Sequence, residues 1–326
     1  MQSTSKLNFK LNFISTSKEK RMLCFIKLSQ SLFQAKFFID LKTKAIMSTS
    51  KRKNETKINE IINDIKTVKI QGAENIARAG IKAFLLSPTK VNAKKILSSR
   101  PTEPLMQNTV NFLLRSKDKK NDAKKFLQKL REAHEKIVLS GSTLIKNDMK
   151  IFSHCHSSTV IDILKYAKRK LKKNFTVYTS EVQPLLQGHM TAKELSKAKI
   201  PVVIMPDLAA EQALKMCDIL LFGADAFTKK FVVNKIGTST LCKIAKSYKI
   251  PRYSCAVSYK FTKKVKIENR PSTEIIHVEN NKIKVINPAF DKTSMKDLTG
   301  IISEHGILRP KSFVKLAKIS SRLIDI

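Results

Sequence analysis

From Met149 onward the sequence repeats a rhythm that few folds accommodate. Short apolar runs lie at 150–153, 175–179, 202–205, 219–222 and 252–257, with a weaker sixth at 283–286. Segments of helical spacing separate most of them. One carries Val160, Ile163, Leu164, Ala167 and Leu171; another carries Leu241, Ile244, Ala245 and Tyr248. Apolar residues three and four apart share one helix face. Strand, helix, strand at this pace predicts βαβ units and a parallel sheet. Parallel sheets of this kind bind ligands at the carboxyl ends of their strands. Functional side chains are therefore expected just after each apolar run.

The preceding stretch reads differently. Over 52–148, Ile58, Ile61, Ile62 and Ile65 repeat at helical spacing, and Ile76, Ala79, Gly80 and Ala83 form a second stripe after Gly72. Phe126, Leu127 and Leu130 mark a further helix, and Pro88, Pro101 and Pro104 punctuate the connections. The expected architecture is α/β: a small all-helical domain over 47–148, then a Rossmann-like parallel-sheet domain over 149–326. Residues 1–46 are basic and contain only Glu19 and Asp40 as acids. They are expected to be a poorly ordered extension, either a basic amphipathic targeting segment or a stretch ahead of a true start at Met47.

Several function classes drop out. No window holds eighteen consecutive apolar residues, so a membrane span is not expected. The five cysteines form no C-x-x-C pair, which argues against a zinc ribbon or a disulfide framework and for a reducing, cytoplasmic setting. Eight scattered glycines supply neither G-x-G-x-x-G nor a Walker loop, and no G-x-S-x-G elbow occurs. The net charge of +37 comes from 63 Lys and Arg against 26 Asp and Glu. Clustered cations suit nucleic acid. Here lysines run along almost the whole chain with no basic-aromatic interleaving, which suits a solvated Lys-rich surface that draws in anions.

The strand ends hold the chemistry. After the run ending at Ser153 comes His154-Cys155-His156-Ser157-Ser158-Thr159 and then a helix, for which Ser158 or Thr159 is the expected cap. A thiol at a helix start is expected to have a lowered pKa and an anion seat beside it; a buried structural cysteine is the alternative. His154 and His156 lack an apparent third metal ligand, so no metal is expected. After the run ending at Phe222 comes Gly223-Ala224-Asp225. A carboxylate there is a general acid or base with its pKa raised by desolvation, or else a cap or charge partner. Asn234-Lys235-Ile236-Gly237-Thr238 precedes another helix, with Thr238 as its expected cap, and Lys235 with that helix's free amides reads as a phosphate seat. Lys260 offers a second cation after the run ending at Val257.

These strings resemble the superfamily of initiation factor 2B alpha, beta and delta subunits, ribose-1,5-bisphosphate isomerase and methylthioribose-1-phosphate isomerase. The resemblance covers about 47–326. It rests on Ile70-Gln71-Gly72-Ala73, Ser99-Arg100-Pro101-Thr102-Glu103-Pro104, His154-Cys155-His156-Ser157-Ser158, Glu181-Val182-Gln183-Pro184-Leu185-Leu186-Gln187-Gly188, Gly223-Ala224-Asp225, Asn234-Lys235-Ile236-Gly237-Thr238, Asn287-Pro288-Ala289-Phe290-Asp291 and Glu304-His305-Gly306-Ile307. The resemblance implies a helical domain before a Rossmann-like one. It implies Cys155 and Asp225 as the catalytic pair of an aldose–ketose isomerase acting on ribose 1,5-bisphosphate. Gln71, Gly72, Ala73, Arg100, Asn234, Lys235 and Lys260 are the implied substrate-binding residues. No cofactor is implied, and a homo-oligomer, dimer or hexamer, is. The Asn-Pro-Ala-Phe-Asp string looks like archaeal ribose-1,5-bisphosphate isomerase. Two departures stand out: Gln71 and Gln183 occupy positions where the isomerases usually carry Arg. A neutral amide forfeits a bidentate contact to phosphate, although Lys69 lies two residues before Gln71. Those departures and the charge keep a second expectation in view: a non-catalytic regulatory subunit of the initiation-factor 2B type that binds initiation factor 2.

Overall fold

The computed structural model describes residues 33, 36, 42, 49–278 and 282–323. The expectation for 1–46 falls, apart from three residues, outside them. The chain divides into two compact units, Met1–Thr56 and Lys57–Ile326. In the first, residues 49–56 are helical. Everything below concerns the second.

Residues 57–66 form helix α1. It is followed by α2 (Ala73–Leu86), α3 (Lys90–Ser99), α4 (Pro104–Arg115) and α5 (Lys119–Ser142). Local signals set the boundaries. Thr89 caps α3 by accepting from Asn92 N at 3.2 Å, and Asp118 caps α5 by accepting from Asn121 N at 3.1 Å. Pro104 opens α4, where its missing N–H is no loss. The predicted Ile58, Ile62 and Ile65 stripe is buried.

The remaining elements alternate. They are β1 (Met149–His154), α6 (Ser158–Arg169), β2 (Phe175–Ser180), α7 (Gln187–Lys197), β3 (Val202–Met205), α8 (Ala210–Leu214) and β4 (Ile219–Phe222). Next come β5 (Ala226–Phe227), β6 (Phe231–Lys235), α9 (Thr238–Ser247), β7 (Arg252–Cys255), β8 (Phe290–Ser294), β9 (Gly300–Ser303), β10 (Gly306–Leu308) and α10 (Pro310–Leu323). The large sheet has the order β10-β9-β7-β4-β1-β2-β3. Its pairings are parallel except β9 with β10. A three-stranded antiparallel sheet, β5-β6-β8, stands beside it in the chain order.

The central strands are apolar on both faces because both faces are covered. Ile151, Ile219 and Leu221 join the core that includes α2, α4, α5 and α6. Their alternate neighbours Phe152, Leu220 and Phe222 join a second core with residues of α8, α9 and α10. Each fully buried Leu or Phe contributes about 1.5–3 kcal/mol. Five predicted runs are strands. The sixth, 283–286, is not: Ile283 and Ile286 are 52% and 68% exposed, and no strand lies alongside to pair with them among the described residues.

Strand order positions the site. The chain lays β1, β2 and β3 outward in one direction, then returns to lay β4, β7 and β9 in the other. The reversal falls between β1 and β4, which pair in register from Ile151↔Ile219 to His154↔Phe222. Connections leaving adjacent strands toward opposite faces open a crevice at such a point. Cys155 and Asp225 follow those two strands.

Candidate active site

Cys155 leaves β1 with φ of 67°, a left-handed conformation that non-glycine residues rarely hold without external support. Support comes from α7, where Thr191 Oγ1 donates to Cys155 O at 2.9 Å. Cys155 Sγ donates to Gln187 Oε1 at 3.4 Å, and Gln187 Nε2 donates to Gln71 Oε1 at 3.3 Å. Gln187 owes its place to the next residue. Gly188 N donates to Glu181 O at 2.9 Å, and a Cβ there would lie 1.7 Å from Ser180 O. Only glycine allows α7 to start this close to β2.

One cavity gathers the sequence candidates. Cys155 and Asp225 line it, as do Gln71, Gly72, Ala73, Arg100, Asn234, Lys235 and Lys260. Two helices begin at its wall. Gly72 and Ala73 open α2 without a side-chain cap, and Ser157 to Thr159 open α6. Helix starts present amide N–H groups and a positive dipole end, which suit phosphate. Lys260 Nζ donates to Ala224 O at 2.6 Å, which leaves donors to spare. The turn carrying Lys260 is pinned by Glu304, whose carboxylate accepts from Ser258 N at 2.9 Å. Pairing of β6 with β8 sets Asn234 opposite Asp291 and Lys235 opposite Phe290.

Burial shapes the charges. It pushes the Asp225 carboxyl up, against the pull of Lys260, Lys235 and Arg100. It pushes the Lys260 ammonium down, against Asp225, Glu103 and Glu74. It pushes the Cys155 thiol up to about 11, with Lys235 opposing and Asp225 assisting. The expected lowering at a helix start therefore fails: desolvation outweighs the helix end, and the resting group is a thiol.

Other expectations also change. Ser157, not Ser158 or Thr159, caps α6, accepting from Val160 N at 3.4 Å. Gly237, with φ of 98°, holds the cap position of α9 in place of Thr238. The phosphate seat expected at the α9 amides is taken by the chain itself. Asp291 Oδ2 accepts from Gly237 N and Ser239 N, both at 2.9 Å. Lys69 does not replace the missing cation, since its Nζ lies 3.5 Å from Asp64 Oδ1 with the side chain 71% exposed. Gln183 is exposed and stands outside the cavity lining. His154 and His156 part company: His154 Nε2 meets Ile236 O at 3.2 Å, and His156 Nδ1 meets Thr191 Oγ1 at 3.1 Å.

Sequence reasoning missed Glu103, His134, Gln187 and Arg270 in the same lining. Glu103 and Gln187 lie inside recognised strings. His134 and Arg270 sit in stretches with no local signal. His134 Nε2 meets Asp162 Oδ2 at 2.9 Å, and that bond raises its pKa.

The profile of the initiation factor 2 subunit family matches residues 69–310. The chain belongs to that family. Among its members, the ribose 1,5-bisphosphate isomerase of Methanocaldococcus jannaschii is 32% identical over 284 residues, covering 78% of this chain and 92% of that protein. A putative translation initiation factor eIF-2B subunit 2-like protein of Pyrococcus furiosus is also 32% identical, covering 78% and 97%. The crystal structure of the Pyrococcus horikoshii translation initiation factor eIF-2B superposes with a TM-score of 0.71 at 29% identity, covering 79% of this chain and 98% of that one. The family thus spans proteins with enzymatic names and proteins with translational ones, on a shared fold.

Proposed function

We propose that this protein is a phosphosugar isomerase that converts ribose 1,5-bisphosphate to ribulose 1,5-bisphosphate. The observation that carries the reading is the placement of Cys155 and Asp225. They leave adjacent strands at the reversal of strand order and meet in one cavity. Relatives named for this reaction, at about a third identity, support it. The α2 and α6 starts, with Lys235 and Lys260, supply anion seats for a phosphorylated ligand.

The reaction moves one hydrogen from C2 to C1 and opens the sugar ring. Cys155 serves at carbon and Asp225 at oxygen. The resting thiol first passes its proton to the Asp225 carboxylate. The thiolate takes the C2 hydrogen while the C1–ring oxygen bond breaks, and Asp225 protonates the departing ring oxygen. That leaves an enol phosphate between C1 and C2. Asp225 then removes the proton from the C2 hydroxyl as the carbonyl forms, and the Cys155 thiol delivers hydrogen to C1. Atoms and charge balance without a net oxidant or reductant. Lys235, which opposes the rise of the thiol pKa, stabilises the thiolate stage.

A second reading, binding without turnover as a regulatory initiation-factor 2B-type subunit, draws on Gln71. Its amide is engaged by Gln187 where the isomerases usually carry an arginine. Steady-state assay of the full chain with ribose 1,5-bisphosphate separates the two. Turnover that falls at least a thousandfold in Cys155→Ser and in Asp225→Asn supports the isomerase. No turnover by the wild type, with recovery of initiation factor 2 subunits in a pulldown, supports the regulator.

A further inference from the structure

Glu103 has no part in the proton scheme above, yet it occupies the same cavity. Its side chain is 2% exposed. Its backbone is committed: the N–H donates to Arg100 O at 3.3 Å, and the carbonyl accepts from Gln107 N at 3.1 Å. Its carboxyl is not. An acid at the cap position of a helix ordinarily accepts from the helix amides, but Glu103 makes no such bond to α4. Oε2 is buried without a hydrogen-bond partner. Oε1 faces Arg100 Nε at 4.0 Å, beyond hydrogen-bond reach. Arg100 is drawn instead to Glu268, with Nη1 3.0 Å from Oε1.

A bare carboxylate withdrawn from water with no donor is strongly disfavoured, and the group takes up a proton instead. Burial accordingly pushes Glu103 up to about 8, with Asp225 and Glu268 assisting and Arg100 and Lys260 opposing. The neutral acid then holds an O–H on Oε2 that no described residue receives. Buried polar groups without partners are rare and call for an explanation. A cavity wall supplies one, because the partner arrives with the ligand. A neutral acid also avoids repelling the phosphate that shares the cavity, whereas a second carboxylate beside Asp225 would repel it.

We propose that Glu103 is a substrate-binding residue: a protonated acid that donates its O–H to a sugar oxygen of the bound phosphosugar. The proposal rests on the cavity being a phosphosugar site. It assigns Asp225 and Glu103 different work. Asp225 moves protons, and Glu103 keeps its proton and reads the sugar.

The test is calorimetric titration of the full chain with ribose 5-phosphate and, separately, with inorganic phosphate, from pH 6.5 to 9.5. Wild type, Glu103→Gln and Glu103→Ala are compared. Neither variant removes a hydrogen bond the fold uses, and the amide of Glu103→Gln keeps the volume and a donor. Arg100, Asp225, Lys260 and Glu268 are the charged groups that act on Glu103, and the Glu103→Gln profile serves as the control that lacks only the Glu103 proton. Only the protonated acid donates, so wild-type affinity for ribose 5-phosphate should fall as pH rises through about 8. The loss should reach about tenfold between pH 7 and 9. Glu103→Gln should hold its affinity over that range, and Glu103→Ala should bind the sugar phosphate about tenfold more weakly at pH 7. Inorganic phosphate should bind all three alike. Identical pH profiles for wild type and Glu103→Gln would overturn the proposal, and so would equal weakening of phosphate and sugar phosphate by Glu103→Ala. If ribose 5-phosphate binding depends on Glu103 while ribose 1,5-bisphosphate is never turned over, the isomerase reading falls and this one stands.

Discussion

Gly188→Ala is the sharpest structural test of how the thiol is held. An added Cβ would sit 1.7 Å from Ser180 O and 2.8 Å from Ser180 C, both backbone atoms at the end of β2. Ordinary carbon–oxygen contact needs about 3.3 Å, so the start of α7 must retreat by about 1.6 Å. Overpacking of this severity costs about 3 kcal/mol. Lengthening the bond from Gly188 N to Glu181 O removes about 1 kcal/mol more, and the better helix propensity of alanine returns about 1 kcal/mol. The net expectation is a loss of about 3 kcal/mol. In urea unfolding followed by circular dichroism it appears as a lower midpoint at unchanged slope. Activity should fall further than stability explains, because Gln187, the preceding residue, moves off Cys155 Sγ. A loss below 1 kcal/mol with unchanged kcat/KM would refute the reasoning.

Other consequences follow from single contacts. Glu304→Ala frees the turn that carries Lys260 and should raise KM about tenfold with a smaller change in kcat; steady-state kinetics against the thermal melting point separates this from unfolding. Asp291→Ala strips the acceptor from Gly237 N and Ser239 N, and urea unfolding at neutral pH should show a loss of about 1 kcal/mol. Burial raises the Asp291 carboxyl from 3.8 to about 6, so the folded chain holds that proton more tightly than the unfolded one. The stability contributed by that more tightly held proton is therefore lost as pH rises from 3.8 toward 6, while the hydrogen bonds to Gly237 N and Ser239 N persist, and Asp291→Asn should flatten the stability profile in that window. Leu221→Ala in the centre of the sheet should cost about 2–5 kcal/mol in the same urea assay.

Most of the large sheet was legible because parallel strands buried on both faces carry continuous apolar runs, as in β4. The antiparallel sheet was not. β8 reads Phe-Asp-Lys-Thr-Ser, with a half-exposed Asp291 and an exposed Lys292, so no run announces it. The apolar spacing at 283–286 pointed to a strand, but among the described residues none pairs with that segment. For the candidate site, position after a strand pointed to Cys155 and Asp225, and the fold brings both to one cavity because strand ends converge by topology. Their electrostatics were beyond local reading. The thiol pKa depends on how much protein closes over it, and the α9 amides were spoken for by Asp291, more than fifty residues away in the chain. Glu103 was hidden for a related reason. Next to Pro104 it looks like an ordinary helix start, and only the fold reveals that its carboxyl turns away from the helix.

The central claim is that Cys155 carries hydrogen at carbon. Ribulose 1,5-bisphosphate formed by the full chain in deuterium oxide, read by proton NMR, tests it directly. A thiol that meets solvent between the two transfers brings deuterium to C1, and one that stays sealed returns the substrate's own hydrogen; in both cases the account predicts isomerised product from the wild type and none from Cys155→Ser. Product from Cys155→Ser at the wild-type rate, whatever its label, would contradict it.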